Sequence, residues 1–450
     1  MKCVIIAAGK GERLQEKGTS KPLVNFLGLP LIERTIRTAK KAGANEFFVV
    51  TGHEKDPLEA ILKKLSEDTG LVIHTIYNSE WENGANGFSV LSVKDKIKEP
   101  FLLLMSDHLF DPSIVRNLFS QSNKSDVVLA IDTKIKNPMI ALDYVTKVKF
   151  DNNKITKIGK NLKEYDGFDT GIFYCKPSIF KALEICIKKD MGFLTDAIQY
   201  LADKSKVSIF KIDDKFWADV NDTESYRKAE SEVLKNLNKH HDGIIARYFN
   251  RPISIWISKK LSVTNITPNQ ISIFAFSVAC IASLLFSMGS YIPLIIGGIL
   301  AQISSIIDGC DGEVARLKYQ ESSYGGWLDA VLDRYADAFL LFGLTWHLYS
   351  NDGGNLYLII GFFAITGSFM LSYTADKYDN LMKIYTRNIR VGRDMRIFVM
   401  LLGALLNQVE FILIFVAVVM NVEAIRRMII CKNPNTETIK HTPFKSEINS

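Results

Sequence analysis

Cysteine and proline are both scarce in this chain, and the few cysteines lack the spacing of common metal or redox motifs. The 450 residues contain six cysteines and twelve prolines. No two cysteines form a CxxC pair, which argues against a zinc ribbon or a thioredoxin-like site. Cysteines scattered in this way indicate reduced thiols in a cytosolic or buried setting, not a disulfide framework.

The first half of the chain also lacks a long basic block and a secretory signal. The net charge is only +6, so we do not expect nucleic acid as a partner. The start, MKCVIIAAGKGER, is typical of a short strand followed by a polar loop, and the N-terminal domain is therefore expected to stay in the cytoplasm. Long apolar runs are concentrated in the C-terminal half, where Lys and Arg cluster beside them.

Four aspartates stand in two pairs between apolar segments: Asp308 with Asp311, and Asp329 with Asp333. Spacings of three and four residues place each pair on one helical face. Ionisable groups at membrane depth are costly and usually face a polar cavity with a partner. Two such faces brought together would form a cage of oxygen ligands for Mg²⁺, Mn²⁺ or Ca²⁺. The alternative is a solvated loop in which acids happen to recur.

The order of these residues reproduces D-x2-D-G-x2-A-R-x8-G-x3-D-x3-D without a gap, and it resembles the signature of the CDP-alcohol phosphotransferases. The resemblance covers roughly residues 250–430. It implies six transmembrane helices, two divalent metal ions, and transfer of a phosphoalcohol from a CDP-alcohol to an acceptor hydroxyl with release of CMP. It also implies that Asp308, Asp311 and Asp329 are metal ligands. Asp333 would be both a ligand and the base that acts on the acceptor hydroxyl.

Three further residues in this stretch have chemistry suited to the same site. Gly312 would let the nucleotide approach the backbone closely, and Arg316 offers a planar fork for a phosphate. Asp337 continues the same helical face one turn later, where it would either support the metal ligands or lie on the helix surface.

The N-terminal half begins with a buried strand and a glycine-containing loop, KCVIIAAGKGERL. Gly9 and Gly11 would leave room for backbone amides to approach phosphates, and Arg13 adds positive charge. Together with Lys21 in the sequence KPL, the loop resembles that of sugar-phosphate nucleotidyltransferases. The resemblance implies that Lys21 and Arg13 neutralise a nucleoside triphosphate. A strand-to-helix turn without a ligand is the alternative.

Strands and helices then alternate, which predicts an α/β Rossmann-like domain. Ligands of open α/β sheets bind at the carboxyl ends of strands, so Asp107, at the end of PFLLLMSD, is placed to hold a metal ion. Capping of the next helix is the alternative for Asp107. The segment WADVND resembles the end of the same family of domains. Asp219 would then be the second metal ligand, although Asp222 would serve equally well.

Asn78, Asn86 and Ser89 lie in a Gly- and Asn-rich segment that resembles the part of these nucleotidyltransferases that contacts the nucleobase and sugar. A plain loop is the alternative. The resemblance covers most of residues 1–230. It implies attack of a phosphate monoester on the α-phosphorus of a nucleoside triphosphate, with pyrophosphate as the leaving group.

These patterns divide the chain into four parts. We expect a cytosolic nucleotidyltransferase domain at 1–229, a linker and interfacial amphipathic helix at 230–262, an all-α six-helix transmembrane domain at 263–430, and a polar cytoplasmic tail at 431–450. Thr267 is expected to cap the first apolar helix, with Pro268 in its first turn. The predicted spans are 269–288, 292–312, 327–349, 355–375, 394–407 and 410–428.

Lys and Arg are confined to alternate loops of this C-terminal domain, which by the positive-inside rule places both termini and both sites on the cytoplasmic side of the cell membrane. One such loop carries Arg387, Arg390, Arg393 and Arg396 at threefold spacing. Contact with anionic lipid explains such a cluster. A pocket for a phosphate on the acceptor explains it equally well.

A nucleotidyltransferase domain followed by a CDP-alcohol phosphotransferase domain indicates two consecutive reactions. The arrangement is similar to a bifunctional family that joins CTP and inositol 1-phosphate into CDP-inositol. The family then transfers phosphoinositol to a second inositol 1-phosphate to form an osmolyte precursor. The resemblance implies Mg²⁺ or Mn²⁺, with two ions in the membrane site and one or two in the cytosolic site, and a homodimer formed through the membrane helices. The alternatives are the same first step with a lipid acceptor, or a membrane-anchored nucleotide sensor or transporter with degenerate catalysis.

Overall fold

The computed structural model describes residues 1–11, 14, 20–120, 125–137, 139–140, 142–238, 243–382 and 392–432. The chain divides into two compact units, Met1–Lys235 and Asn236–Ser450.

The first unit alternates strands and helices around a mixed sheet. Its strands are β1 Lys2–Ile6, β2 Asn25–Phe26, β3 Leu29–Pro30, β4 Glu46–Thr51, β5 Val72–Tyr77, β6 Phe101–Met105, β7 His108–Phe110, β8 Val127–Asp132, β9 Lys147–Asp151, β10 Lys154–Gly159, β11 Gly167–Cys175, β12 Val207–Lys211 and β13 Trp217–Asp219. Its helices are α1 Leu31–Lys41, α2 Lys55–Thr69, α3 Asn86–Leu91, α4 Pro112–Ser120, α5 Ser178–Ile187, α6 Leu194–Ala202 and α7 Thr223–Lys235.

The main sheet has the order β5-β4-β1-β6-β11-β8-β12-β10-β9. The strands β5, β4, β1 and β6 run parallel to one another, which confirms the predicted α/β class. Strand β11 runs antiparallel to both β6 and β8, so the sheet is mixed beyond β6. Parallel strands end at one edge, and the carboxyl end of β6 therefore lies beside that of β1.

The two faces of this sheet bury separate apolar cores, because successive side chains of a strand point to opposite faces. Val4 of β1 packs in one core, and Ile5 packs in the other. Both side chains are fully buried. Burial of each such aliphatic side chain stabilises the fold by about 1.5–3 kcal/mol, which holds the β1 and β6 ends rigidly.

A short second ribbon fixes the position of the acidic residues. Strand β7 pairs antiparallel with β13, and in this register His108 lies opposite Asp219. Since Asp107 immediately precedes β7, the ribbon brings Asp107 and Asp219 together from sequence positions more than a hundred residues apart.

The second unit is helical. A π-helical turn, Ala246–Asn250, leads into α8 Arg251–Ser262, and the later helices are α9 Pro268–Ser287, α10 Tyr291–Lys318, α11 Ser323–Asp352, α12 Asn355–Met382, α13 Arg393–Leu405 and α14 Val409–Lys432. Within the part of the chain that the structure describes, three segments are long and apolar enough to cross a membrane: α9, α10 and Asn355–Ala375 of α12. The all-α class is confirmed, whereas the number of six membrane spans stays a prediction.

Helix α9 begins as its sequence predicts. Thr267 is the N-cap, its hydroxyl accepts from the backbone N–H of Gln270, and the Gln270 side chain accepts from the Thr267 N–H in return. Pro268 occupies the first turn, where its missing N–H costs nothing.

The helices pack closely where small residues face a neighbour. A Cβ on Gly298 would lie 2.9 Å from the Ala404 Cβ, and one on Gly361 would lie 2.2 Å from the Thr345 hydroxyl. Helices embedded in lipid associate through such small-residue contacts. On the outside, large apolar side chains such as Leu284 are exposed.

Candidate active sites

In the first unit, Asp107, His108 and Asp219 form a cluster that fits a divalent cation. One ligand atom from each residue lies within 4.8 Å of the others. The Asp219 Oδ1 atom is buried and has no hydrogen-bond donor among the described residues. Mn²⁺ binds both carboxylate oxygens and imidazole nitrogens, whereas Mg²⁺ prefers the oxygens.

The His108 ring is held by charge on one side and by the backbone on the other. Its Nε2 lies 3.4 Å from Asp219 Oδ1 and 3.7 Å from Asp107 Oδ1, and its Nδ1 lies 2.7 Å from the Thr170 carbonyl oxygen. Burial by itself would lower the pKa of His108, but the two carboxylates outweigh burial and raise that pKa to about 9. Without a bound cation the imidazole therefore carries a proton, which it would have to lose before its Nε2 could be a metal ligand.

Lys21 reaches the same cluster from the first loop. Its ammonium group pairs with Asp107, donates to Asn221 Oδ1 at 2.8 Å, and lies 3.9 Å from Asp219 Oδ1. Asn221 in turn donates to Asp219 Oδ2 at 2.5 Å. The predicted residues Lys21, Asp107 and Asp219 thus converge at the carboxyl end of β6, where an anionic ligand would meet both a cation and a metal-binding pair.

The hydrogen bonds decide between the alternative roles of Asp222 and Asp107, each of which could hold a metal ion or cap a helix. Asp222 accepts from the backbone N–H of Ser225 at 2.7 Å at the start of α7, so it acts as a helix cap and not as a partner of Asp107. In the same way, Asp111 accepts from Ser113 N at the start of α4. The cap of α4 is therefore Asp111, not Asp107.

Gly11 is the glycine on which the position of Lys21 depends. It has a φ of +62°, and a Cβ there would lie 2.3 Å from the Lys21 Cβ. A side chain at position 11 would therefore push Lys21 away from Asp107. By contrast, a Cβ on Gly9 would meet nothing within 4 Å.

A cavity of about 290 Å³ opens beside this cluster. Its lining includes the predicted residues Gly9, Gly11, Lys21, Asn86, Ser89 and Asp107, and it also includes Trp81. An indole ring on the wall of a cavity offers a flat surface on which a base can stack.

Asn78 does not line this cavity. It is buried and donates to Ser89 Oγ at 3.0 Å, whereas the Asn86 side chain accepts from the backbone N–H of Leu194 at 2.9 Å. Asn78 therefore positions Ser89, and Asn86 ties α3 to the start of α6. Arg13 lies outside the described residues.

In the second unit, Asp308, Asp329 and Asp333 bring one carboxylate oxygen each to within 4.8 Å of one another. Asp308 comes from α10, and the other two come from successive turns of α11. Carboxylates this close repel one another strongly in a poorly solvated site, and cations bound among them would relieve that repulsion. The oxygen-only donor set fits Mg²⁺ or Mn²⁺.

Asp311 lies one turn from Asp308 and lines the same cavity. Its Oδ2 accepts from Ser272 of α9 at 2.5 Å, and its Oδ1 accepts from the Gly312 backbone N–H. Helix α9 thus fixes the orientation of the fourth aspartate.

Arg393 lies against the aspartates. Its Nη1 is 2.7 Å from Asp308 Oδ2 and pairs with Asp333, and its Nε donates to Asp337 Oδ1 at 3.1 Å. Asp337 also accepts from Arg396, with Nη2 at 2.8 Å from Oδ2. Asp337 is buried, so the structure places it in support of the site and not on the helix surface.

Three cavities of 220–240 Å³ meet at the aspartates. The central cavity contains Asp308, Asp311, Asp329 and Asp333. Each of the other two shares part of its lining with the central cavity. One of them, the nucleotide-side cavity, continues to Gly325 and shares with the central cavity the residues Asp311, Gly312, Arg316 and Asp329. The other, the acceptor-side cavity, shares Asp333 and Arg393 with the central cavity and continues to Arg334, Arg396 and Arg427.

Gly312 and Arg316 lie together, as their spacing of four residues predicts. A Cβ on Gly312 would be 3.3 Å from Arg316 Nη1, and Arg316 Nη2 donates to the Leu237 carbonyl at 3.3 Å. Glycine at position 312 therefore leaves room above the guanidinium. Arg387 and Arg390 lie outside the described residues.

A second polar network lies beside the aspartates, and the sequence did not predict it. Glu313 is fully buried and meets Arg251, Ser254 and Ser258 of α8. The position of Glu313, two residues after Asp311 in an apolar helix, could have indicated such a network, because a carboxylate at that depth needs partners.

Comparison with known proteins assigns families to both halves of the chain. Residues 3–150 match a family model described as a MobA-like NTP transferase domain, and residues 265–423 match one described as CDP-alcohol phosphatidyltransferase.

Two relatives match along nearly their whole length, and both are named bifunctional IPC transferase and DIPP synthase. The protein from Rubrobacter xylanophilus is 34% identical, over 95% of this chain and 96% of its own. The protein from Aquifex aeolicus is 32% identical, over 94% of this chain and 96% of its own. A solved structure, the inositol-1-phosphate CTP transferase from T. maritima, is 23% identical and covers 51% of this chain and 95% of its own, with a TM-score of 0.47.

Proposed function

The chain belongs to the family of bifunctional IPC transferases and DIPP synthases, and we propose that its two units catalyse two consecutive transfers. In the first, cytidylyl transfer from CTP to inositol 1-phosphate gives CDP-inositol and pyrophosphate. In the second, phosphoinositol passes from CDP-inositol to a hydroxyl of a second inositol 1-phosphate, giving di-myo-inositol phosphate phosphate and CMP. The observation that carries this proposal is that each unit has its own acidic cluster beside its own cavity.

In the first transfer, a phosphate oxygen of inositol 1-phosphate attacks the α-phosphorus of CTP. Lys21 and Arg13 neutralise the triphosphate, and the backbone at Gly9 and Gly11 approaches it closely. Asp107 and Asp219 hold one or two Mg²⁺ or Mn²⁺ ions, which when bound withdraw charge from the phosphates. Trp81 and the Asn86–Ser89 segment form the nucleoside wall of the cavity, with Asn78 positioning Ser89.

In the second transfer, Asp333 accepts the proton of the acceptor hydroxyl, whose oxygen attacks the β-phosphorus of CDP-inositol as CMP leaves. Asp308, Asp311, Asp329 and Asp333 hold two divalent ions, which when bound stabilise the charge on the diphosphate. Gly312 and Arg316 bind the nucleotide side of the donor, because they line the cavity that continues toward Gly325.

The cavity that continues to Arg427 is suited to the acceptor. Arg334, Arg396 and Arg427 line it together with Asp333 and Arg393, so a phosphate monoester held by the arginines would present a hydroxyl to Asp333. Arg387 and Arg390 are proposed from the sequence alone as further ligands of the acceptor phosphate.

Several finer features belong to this proposal. The first domain ends near residue 229, the linker and interfacial helix occupy 230–262, the membrane domain occupies 263–430, and the tail occupies 431–450. The protein is a multi-pass cell-membrane protein with six spans, lipid contacts, and both termini and both sites on the cytoplasmic side. It forms a homodimer through the membrane helices.

Product identification tests the proposal. With CTP, Mg²⁺ and inositol 1-phosphate, mass spectrometry should detect pyrophosphate, CDP-inositol, CMP and a water-soluble di-inositol product. The family that matches the whole chain does not favour a lipid acceptor. A product that requires added lipid and extracts into organic solvent would overturn the second step.

A further inference from the structure

Helix α8 is attached to the aspartate helix α10 by a buried ion pair. Glu313 Oε1 accepts from Arg251 Nη1 at 2.6 Å and from Ser254 Oγ at 2.7 Å, and Glu313 Oε2 accepts from Ser258 Oγ at 2.7 Å. Glu313 is 0% exposed and Arg251 is 8% exposed. Three donors from three successive turns of α8 therefore meet one carboxylate.

This ion pair lies directly beside the metal-binding aspartates. A Cβ on Gly309 would be 3.6 Å from Arg251 Nη1, so the guanidinium lies over the backbone between Asp308 and Cys310. Arg251 and Ser254 line the central cavity together with Asp308 and Asp333.

Stability alone is a weak reason to bury such a pair. Removing two charges from water costs about as much as their attraction returns, and apolar replacements of similar volume are often as stable. What a buried carboxylate with three donors does provide is a fixed orientation. A guanidinium carries its donors in one plane, so the bond to Glu313 determines where the whole fork points.

We propose that Arg251 binds the transferred phosphate of the CDP-alcohol donor, the one attached to the alcohol, and that Glu313, with Ser254 and Ser258, positions Arg251 for this contact. The proposal rests on the second transfer described above. Arg251 is then a substrate-binding residue, and Glu313 is a positioning residue.

The location of Arg251 distinguishes this phosphate from the other two. Arg316 lines both the central cavity and the nucleotide-side cavity, and it is placed for the phosphate that leaves with CMP. Arg396 and Arg427 line the acceptor-side cavity, and they are placed for the phosphate of the acceptor. Arg251 lines the central cavity, which contains all four aspartates and shares lining residues with both of the others, so the phosphorus under attack belongs there.

Steady-state kinetics of the full chain in detergent micelles test this assignment. The assay is CMP release from CDP-inositol with inositol 1-phosphate as acceptor. Arg251→Lys keeps a positive charge that can pair with Glu313 but loses the planar guanidinium. We expect it to raise the KM for CDP-inositol about tenfold, while the KM for inositol 1-phosphate and the inhibition constant of CMP stay within twofold of the wild type.

Glu313→Gln should shift the same KM in the same direction by a smaller factor. The double variant should be less than additive, because both changes affect one contact. Ser262→Ala is the matched control: Ser262 is buried on α8 but donates to the Lys259 carbonyl, and its removal should leave every constant unchanged. If Arg251→Lys fails to fold, as judged by gel filtration, Glu313→Gln carries the test.

The other possible outcomes contradict either the assignment of Arg251 to the transferred phosphate or the second transfer on which that assignment rests. A rise in the KM for inositol 1-phosphate would place Arg251 at the acceptor, and weaker inhibition by CMP would place it at the nucleotide phosphate. Unchanged constants, or a lower kcat with both KM values unchanged, would leave the ion pair a structural role. Absence of CMP release by the wild type would instead refute the second transfer itself.

Discussion

Two glycines of the first unit show how single residues determine the cytidylyl site. Gly11 lies against the stem of Lys21, and Gly171, with a φ of +68°, lies against the His108 ring, where a Cβ would be 2.3 Å away. Both positions combine a left-handed backbone with a close approach, so only glycine satisfies them.

Gly11→Ala should therefore reduce pyrophosphate release at least tenfold while CMP release from supplied CDP-inositol is retained. Gly70→Ala is the matched control, because Gly70 has a φ of +67° but a Cβ there would meet nothing within 4 Å. Both variants should lose about 1 kcal/mol of stability from backbone strain. Equal loss of pyrophosphate release in the two would contradict the role of Gly11 in placing Lys21.

Arg427 and Arg426 offer a similar comparison in the second unit. Both pair with Glu423, but Arg427 is buried and lines the acceptor-side cavity, whereas Arg426 is exposed. Arg427→Gln should raise the KM for inositol 1-phosphate about tenfold, because a charge-assisted bond to the phosphate is lost. Arg426→Gln should leave it unchanged. A matching rise in both variants would indicate a general electrostatic effect instead of a pocket.

Single residues were predictable where a motif or a strand end marks them. The spacing of the aspartates in α10 and α11 predicts that they face one site. The place of Asp107 after an apolar strand predicts its position at the carboxyl end of that strand. The partners of Asp337 and Glu313 did not follow, because Arg396 and Arg251 come from helices remote in sequence. No local pattern indicates which remote cation meets a buried acid.

At the scale of elements, local signals were sufficient for position but not for pairing. The apolar run PFLLLMSD contains β6, and the predicted span at 394–407 corresponds to α13 within two residues at either end. The β7–β13 ribbon was not predicted. Its three-residue strands are too short to show periodicity, and their pairing joins distant parts of the chain.

The start of α9 allows a direct test of an element boundary. Thr267→Ala removes the capping hydroxyl and should lower the free energy of unfolding by about 1 kcal/mol. The change should be visible as a lower midpoint in thermal unfolding of the detergent-solubilised protein. Ser287→Ala, at the other end of α9, is the control, since Ser287 donates only to the Leu284 carbonyl. Equal midpoints for the two variants would show that the cap does not limit stability.

At the scale of the whole molecule, the exposed apolar side chains of the second unit predict integration into a bilayer. Leu284, Ile292, Phe362 and Phe411 each leave more than 60% of their surface uncovered, a cost that lipid contact removes. The protein should float with phospholipid vesicles and stay with them in high salt and at alkaline pH. Release by salt alone would indicate a peripheral protein held by charge.

The division of chemistry between two separate sites is the central claim, and product analysis of two variants tests it most directly. Asp333→Asn removes the base of the second transfer, and Asp107→Asn removes a ligand of the first. General-base catalysis contributes about 10²- to 10⁴-fold, so the first variant should accumulate CDP-inositol in step with pyrophosphate and release almost no CMP. The second should make no CDP-inositol from CTP but should consume it when it is supplied.

Mixing the two purified variants with CTP, Mg²⁺ and inositol 1-phosphate is the decisive measurement. If the sites act separately, mass spectrometry of the mixture will show CMP and the di-inositol product, although neither variant forms them alone from these substrates. If the mixture yields neither compound, or if either substitution abolishes both transfers, two independent sites do not exist in this chain.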